Sequence, residues 1–429
     1  MKKSVSLVDL KGLNRNSVYN FIYRERTTSK QQIVQGLNMG LSTVSQNIRL
    51  LEEARLIERS GSFNSTGGRK ADAIQIVRTA RVSIGVGILL HSIYIVAIDL
   101  YGEVIDSQAL DLDYNNSDEY YYMLGQHISN FIKHGNWQKP DILGVSIATQ
   151  GTISANGQTV DYGEIMNNYN MKLSDITKHI QYPCRLEHDS KAAAYLELWN
   201  NSETENAVVL LLNRNFGGSL IINKKIVKGS HMHAGAIEHL CISRDGPRCY
   251  CGNRGCLETY CSANALEAAA GTKAHIFFDK LRQTSGDASE LRNGGDASDA
   301  SEASEALGAG GHDGARVKER SDGGGDGARV KERSDGELRR LEYATIWDDY
   351  LDKLAYAIRN LSIIIDGSII ISGYLATYFT EDDIKTILYK VNSSPFPITR
   401  EQIIVSTYGQ YAPAVGAALY YVDEFKKSV

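Results

Sequence analysis

What this chain of 429 residues lacks narrows its class before any motif is read. No apolar run approaches the roughly twenty residues that a membrane span needs, so no membrane partner is expected. The opening "MKKSVSLVDLKGLNRNS" has two lysines but no apolar segment behind them. It does not read as a secretion signal, and a cytoplasmic location is expected. Cysteine is scarce, at six residues. In a reducing cytosol, clustered thiols point to metal rather than to disulfides. A further absence is local. From Ser285 to Gly336 there is no Phe, Tyr, Trp or Ile, and small and acidic residues dominate. Within that stretch "GHDGARVKERSDG" (311–323) is followed at once by "GGDGARVKERSDG" (324–336), which differs only at His312 against Gly325. Such a composition cannot bury enough apolar area to offset the entropy of ordering. Residues 285–336 are therefore expected to be an inserted, disordered surface loop carrying a tandem duplication.

The net charge of −5 is unevenly spread. Residues 1–80 hold thirteen Lys/Arg against six Asp/Glu, and the remainder holds thirty-three against forty-five. A basic first domain on an acidic body implies a polyanion partner for that domain alone. The order of elements sharpens this. "NRNSVYNFIYR" (14–24) has apolar positions at helical spacing, and Ser29 can cap a short helix in "SKQQIVQGLNMG", with Gly36 to Gly40 supplying a turn. In "LSTVSQNIRLLEEARLIERSG", Val44, Ile48 and Leu51 share one helix face. Ser42, Gln46 and Arg49 take the opposite one, flanked by Thr43 and Ser45. Such residue types suit base edges and phosphates. "SGSFNSTGGRKADAIQIV" reads as two strands around a glycine-rich tip that would carry Arg69 and Lys70 to a narrow minor groove. A winged helix-turn-helix over 1–80, bound to double-stranded operator DNA, is expected.

From residue 82 the texture becomes β-rich α/β. "VSIGVGILLHSIYIVAIDLYGEVI" predicts a hairpin followed by a Tyr-Gly turn. "DILGVSIA" and "AVVLLLNRNFGGSLIINKKIVKG" predict further strands, and "LDKLAYAIRNLSIIIDGSIIISGYLA" a helix then a strand. Between them, Cys249, Cys251 and Cys256 form C-x-C-x4-C, with His239 ten residues upstream of the first. Three thiolates and an imidazole match tetrahedral zinc, and a full shell leaves no place for activated water. The zinc is expected to be structural. Cys241 and Cys261 are spare thiols that could compete as ligands, and buried unligated cysteines are the lesser alternative.

The residues around this knuckle carry a resemblance. "GAIEHLCISRDGPRCYCGNRGCLETYCS" resembles the zinc signature of the ROK family of sugar kinases and sugar-responsive repressors. "EHDSKAAAYLELW" resembles its catalytic-Asp segment, and "GVSIATQGTIS" and "IIISGYLA" resemble further family segments. A winged helix ahead of this module resembles the family's xylose-repressor-like branch. The resemblance implies two α/β lobes of the actin-like ATPase (ribonuclease H-like) type with a sugar cleft between them. The first lobe would span 82–190 with the C-terminal helix 411–429, and the second 191–410. It also implies sugar contacts from Asn170, His188, Asp189, His239 and Glu258, with His239 shared between sugar and zinc.

Departures from the family pattern decide the expected activity. Where the kinases have Asp-x-Gly-Gly-Thr to grip ATP phosphates, the chain has Gly87, Leu89, Leu90 and His91. The second phosphate loop is reduced to Gly217 and Gly218 in "NRNFGGS", and the adenosine-side Gly-Gly-Gly turn has become Ser372-Gly373-Tyr374. Leucine side chains fill space that phosphates need. Asp189, the family's general base, is then vestigial and can only accept hydrogen bonds. His188 stands in place of the usual Asn, and Ala236 in place of a sugar-binding Glu. The expectation is a non-catalytic sensor for a sugar or sugar phosphate, working as a homodimer or a dimer of dimers. An active sugar kinase, or a constitutive DNA-binding protein with a dead sugar site, are the alternatives.

Overall fold

The computed structural model describes residues 7–63, 71–282, 325–393 and 395–429. They divide into two compact units, Met1–Ala265 with Leu351–Val429, and Leu266–Tyr350. The larger unit opens with α1 (Leu7–Glu25), β1 (Thr27–Thr28), α2 (Lys30–Leu37), α3 (Leu41–Glu53), β2 (Ile57–Ser62) and β3 (Asp72–Ile76). This is the helix–helix–helix–hairpin order of a winged helix. Ser29 caps α2 through a reciprocal box. Its hydroxyl accepts from the Gln32 N–H, while the Gln32 side chain accepts from the Ser29 N–H at 2.8 Å. The expected turn from Gly36 starts later: Gly36 is still inside α2, where a side chain would strike the Phe21 ring, and the chain turns at Asn38 with a left-handed φ of 49°. Val44, Ile48 and Leu51 of α3 are buried with Tyr19, Ile22 and Ile33. Strands β2 and β3 are antiparallel with a register shift between Arg59 and Ser62. The expected tip, with Arg69 and Lys70, lies outside the described residues.

A five-stranded sheet follows, built from β4 (Val82–Ile88), β5 (Ser92–Ile98), β6 (Val104–Asp111), β7 (Ile142–Thr149) and, after the small β8–β9 ribbon (Thr152–Ile153, Val160–Tyr162), β10 (Cys184–His188). Its order is β10-β7-β4-β5-β6, parallel on one side of β4 and antiparallel on the other, the ribonuclease H-like arrangement. Helices α4 (Asp118–His134) and α5 (Leu173–Thr177) cover one face, with Tyr120, Leu124, Ile128 and Ile176 buried against the strands' apolar side chains. Helix α6 (Asp189–Asn200) leads into a second five-stranded sheet. That sheet contains β11 (Ala207–Leu212), β12 (Phe216–Ile222), β13 (Lys225–Ile226), β14 (Ser368–Ser372) and β15 (Ile403–Val405) in the order β13-β12-β11-β14-β15. The chain visits α7 (Glu258–Cys261), α8 (Ala263–Ala270), α9 (Ala274–Arg282), α10 (Gly325–Ile364) and α11 (Glu381–Val391), and finishes in α12 (Ala412–Ser428).

Helix α12 packs on the first sheet and on α6 at very close range. A Cβ on Gly85 of β4 would sit 1.9 Å from the Ala414 carbonyl oxygen, and one on Gly416 would sit 1.8 Å from that of Ala192. Neither position has room for a side chain. The far end of α12 meets the amino-terminal helices. Asn16 donates to the Lys426 carbonyl at 2.6 Å, and the Lys426 ammonium lies 3.8 Å from the Tyr23 ring and 4.5 Å from that of Trp199. Arg26 sits 3.7 Å over Tyr101, whose ring lies 4.6 Å from that of Tyr23 at a tilt of 37°, and the Trp199 indole donates to the Tyr101 carbonyl at 3.1 Å.

The smaller unit holds its own aromatic cluster, in which Phe277 and Phe278 of α9 meet Tyr343 and Trp347 of α10 at ring separations of 5.1 and 4.9 Å. Here the expectation of a disordered loop over 285–336 needs correcting at its end. Residues 325–336, almost all of the second repeat copy, are helical as the start of α10. Ala328, Arg329, Lys331, Glu332 and Arg333 are good helix formers, and they run without interruption into a segment that has an apolar face to bury. Residues 283–324 lie outside the described residues.

Candidate functional site

A cavity of about 860 Å³ opens at the amino-terminal end of α6. Its walls come from the loop after β7 (Gln150, Gly151), the β8–β9 ribbon and its successor (Tyr162, Glu164, Asn168), the start of α6 (His188 to Lys191) and β12 (Gly217, Gly218). The segment Ser230–His239 completes it. The floor is built by local hydrogen bonding. Asp189 and the His188 ring both accept from the Ser190 N–H, at 2.6 and 3.3 Å, and the Ser190 hydroxyl donates to the Gly218 carbonyl at 2.9 Å. Lys191, almost fully buried, donates to the Met232 carbonyl at 2.6 Å, and burial holds its pKa below the usual lysine value. Glu238 lines the same wall, and burial pushes its carboxyl up to about 8.

The structure places His188, Asp189 and His239 on this cavity, together with Ala236, whose methyl group can accept no hydrogen bond. Two expected contacts do not reach it. Asn170 is exposed on the loop beyond β9, with a left-handed φ of 59°, and the residue that lines the cavity from this segment is the buried Asn168. Asn168 donates to the Gln150 carbonyl at 2.9 Å. Glu258 is buried behind the wall and already satisfied, accepting from the Asn215 amide at 2.8 Å and from the Phe216 N–H at 2.5 Å. Burial raises its pKa to about 7, against the lowering effect of those two donors. Its work is to hold the β11–β12 turn. Sequence reasoning missed Asn168, Lys191 and Glu238. The one available signal was the acid in "GAIEH", two positions beyond Ala236.

Beside the cavity, ligand atoms of His239, Cys249, Cys251 and Cys256 lie within 4.8 Å of one another. Cys251 Sγ and Cys256 Sγ are 3.7 Å apart, as are Cys249 Sγ and His239 Nδ1. A tetrahedral ion with sulfur ligands at about 2.3 Å requires S···S edges of roughly 3.8 Å, so the donor set fits zinc. Gly252 and Gly255 take left-handed φ angles of 89° and 66° within the loop, and a side chain on Gly255 would overlap the Ser243 carbonyl. Cys241 and Cys261 lie outside the cluster. His239 turns Nδ1 to the thiols and borders the cavity, where Tyr250 packs edge-on at 5.1 Å.

On the amino-terminal domain, Ser42, Gln46 and Arg49 are exposed along one face of α3, and Thr43 and Ser45 are half-buried beside them. Arg49 pairs with Glu53 one turn on, at 2.8 Å. At the β4–β5 hairpin, Leu90 and His91 are exposed, with His91 paired to Asp113. Gly373 keeps a left-handed φ of 91°, but the following N–H of Tyr374 is taken by Asn213, and Arg214 lies 5.6 Å over the Tyr374 ring. Among the described residues no helix is long and apolar enough to cross a membrane.

A two-lobed α/β body with this knuckle, preceded by a winged-helix arrangement, defines a class of protein. The ROK family profile matches residues 82–307, just over half of the chain, and the chain belongs to that family. It is 27% identical over 270 residues to the xylose repressor of Bacillus spizizenii, covering 62% of this chain and 69% of that protein. It is 27% identical over 264 residues to the DNA-binding transcriptional dual regulator NagC of Escherichia coli K12, covering 61% and 65%. Among solved structures, a ROK family transcriptional regulator, homologous to the E. coli MLC protein, aligns over 96% of both chains with a TM-score of 0.61 at 18% identity. A ROK family glucokinase from Streptomyces griseus, in complex with glucose and AMPPNP, aligns over 79% of this chain and 98% of its own with a TM-score of 0.55 at 19% identity.

Proposed function

We propose that this chain is a sugar-responsive transcriptional regulator, acting as a repressor of carbohydrate-utilisation genes, in which a kinase-derived cleft senses a sugar without phosphorylating it. The observation that carries the proposal is the course of α6. The helix begins with Asp189 in the cavity and ends with Trp199 against Tyr101 and Lys426, where α12 meets the amino-terminal helices. A ligand that changes the position of Asp189 therefore acts on the seat of the DNA-binding domain. The repressor relatives support the DNA reading. The exposed α3 face would enter a major groove, with Ser42, Thr43, Ser45, Gln46 and Arg49 as contacts, and Arg69 and Lys70 would follow from the wing. One such module buries too little surface for a specific site, so a homodimer, or a dimer of dimers, on a palindromic operator is the proposed assembly.

The absence of catalysis rests on the nucleotide side. The hairpin that should offer bare backbone to phosphates carries Leu89, Leu90 and His91, and Tyr374 with Arg214 stands where an open glycine turn is needed. Asp189 is left as a hydrogen-bond acceptor. His239, Cys249, Cys251 and Cys256 would hold a structural zinc, which cross-links the turn before His239 to the Cys249–Cys256 loop and so fixes one wall of the cavity. Fluorescence anisotropy on DNA from the protein's own promoter region, at fixed salt and titrated with sugars and sugar phosphates, tests the reading. One sugar should change operator affinity severalfold and leave non-specific DNA unaffected. A specific complex that no sugar moves would leave a constitutive DNA-binding protein.

A further inference from the structure

The wall of the cavity carries a carboxyl group that the chain satisfies at one oxygen at most, through the residue's own N–H. Glu238 sits in the single helical turn Ile237–His239. Its Oε2 is fully buried and has no hydrogen-bond partner among the described residues. Its Oε1 lies 4.0 Å from His239 Nε2, beyond hydrogen-bonding reach. The neighbouring groups do not supply what it lacks. Asp189 is an acceptor like itself, and the ammonium of Lys191 is directed to the Met232 carbonyl. Buried carboxyl oxygens persist without donors only where something else provides them. Here the rest of the side chain, 14% exposed, lines the open cavity, and a rotation about its last bond brings the unpaired oxygen to that surface.

We propose that Glu238 is the specificity-determining acceptor of this cavity, receiving the hydroxyl donors of a polyhydroxylated ligand at a wall where Ala236 can receive none. The inference rests on the sugar-sensing reading above and adds to it the residue that recognises the ligand's hydroxyl pattern. Asp189 and Glu238 then form two acceptors on facing elements, one at the start of α6 and one on the turn before His239. A polyol with donors aimed at both is retained. A deoxy analogue that leaves one of them empty is discriminated against, because a site built for a hydroxyl strongly rejects ligands that lack it.

The test uses the full-length, zinc-loaded protein and a panel of D-xylose, D-glucose, N-acetyl-D-glucosamine and N-acetyl-D-glucosamine 6-phosphate. Binding is measured by calorimetry, with thermal melting and zinc content alongside. For the sugar that binds the wild type, Glu238→Gln should weaken affinity by about tenfold to a hundredfold, because one acceptor oxygen is replaced by a donor amide and the ligand hydroxyl is left unpaired. Glu238→Asp should recover part of it. Unliganded E238Q should melt no lower than wild type and keep its zinc, because Oε2 makes no internal bond to lose and the remaining oxygen can still accept from the residue's own N–H. If the sugar binds E238Q within threefold of wild type, Glu238 is not the acceptor, and the sensor reading survives. If E238Q loses zinc or melts well below wild type, the residue's role is structural and the proposal is wrong. If no sugar in the panel binds the wild type, both the proposal and the sugar-sensing reading fall together.

Discussion

Removing the Lys426 side chain should uncouple the two ends of the molecule while leaving each end intact. Its ammonium lies 3.8 Å from the Tyr23 ring of α1 and 4.5 Å from the Trp199 ring at the end of α6. A cation over an aromatic face contributes about 0.5–1 kcal/mol when exposed and about 2 when desolvated. Lys426 is half-buried, and burial lowers its pKa. A net contribution of about 1–2 kcal/mol for the sandwich is expected. The Asn16 and Asn20 amides bond to the Lys426 backbone carbonyl and survive truncation of the side chain. Couplings between sites are typically about 1–3 kcal/mol, so Lys426→Ala should erase most of the sugar's effect on operator affinity. The assay is operator anisotropy with and without saturating sugar, for wild type and K426A, with sugar affinity measured separately on DNA-free protein. The expected result is a coupling factor reduced about fivefold to tenfold, with sugar affinity within about twofold of wild type. A folded K426A whose coupling equals that of wild type would refute the route through α6.

Further outcomes rest on the same structure. Arg49→Ala should weaken specific operator binding by about tenfold and flatten discrimination among operator variants, read by anisotropy. A variant that binds as wild type does would move the recognition surface off α3. Purified protein should carry about one zinc per chain by elemental analysis. Cys256→Ser should lose that zinc and lower the melting temperature by roughly 5 °C or more. Magnesium-ATP with any sugar of the panel should yield no ADP in a coupled assay, and sustained turnover would restore the kinase reading. Glu197 is buried in α6, and its carboxyl accepts from Ser372 at 2.9 Å. Burial raises its pKa, and the hydroxyl donors of Ser406 and Ser372 only partly oppose this. The folded state therefore binds this proton more tightly than the unfolded state. Its contribution to stability is fullest below the ordinary glutamate range and is lost as pH rises towards the folded pKa. Glu197→Gln should accordingly raise the melting temperature more at pH 7.5 than at pH 5, and an equal shift at both would refute the assignment.

Local patterns were legible in the sequence wherever a helix or a loop closes on itself. The α3 faces followed from the spacing of Val44, Ile48 and Leu51, the cap from Ser29, and the metal cluster from three cysteines within eight residues. Contacts between distant segments were not legible. Nothing in "NRNSVYN" indicates that Asn16 meets Lys426, 410 residues away. The cavity wall failed in the same way. Asn168 rather than Asn170 lines it because the turn after β9 points one of several nearby asparagines inward, and Glu258 is consumed by the backbone of Phe216. Residues 325–336 were misjudged because composition registers the lack of a core but not the continuity of their helix with the apolar-faced segment 337–364.

The contact between α6 and α12 has a mechanical consequence. With Gly416 pressed on the Ala192 carbonyl, there is no slack for one helix to slide past the other. The pair can only tilt as a single stiff bar. Its α6 portion, Asp189–Asn200, is about 18 Å long, so a tilt of about 5° at the cavity displaces the far end by about 1.5 Å. Lys426 and Trp199 ride together on this bar, so the displacement falls on the contact between Lys426 and the Tyr23 ring of α1, and it is enough to break it. Such a lever needs no unfolding, no moving loop and no long-range field, only a pivot too tightly packed to absorb the motion.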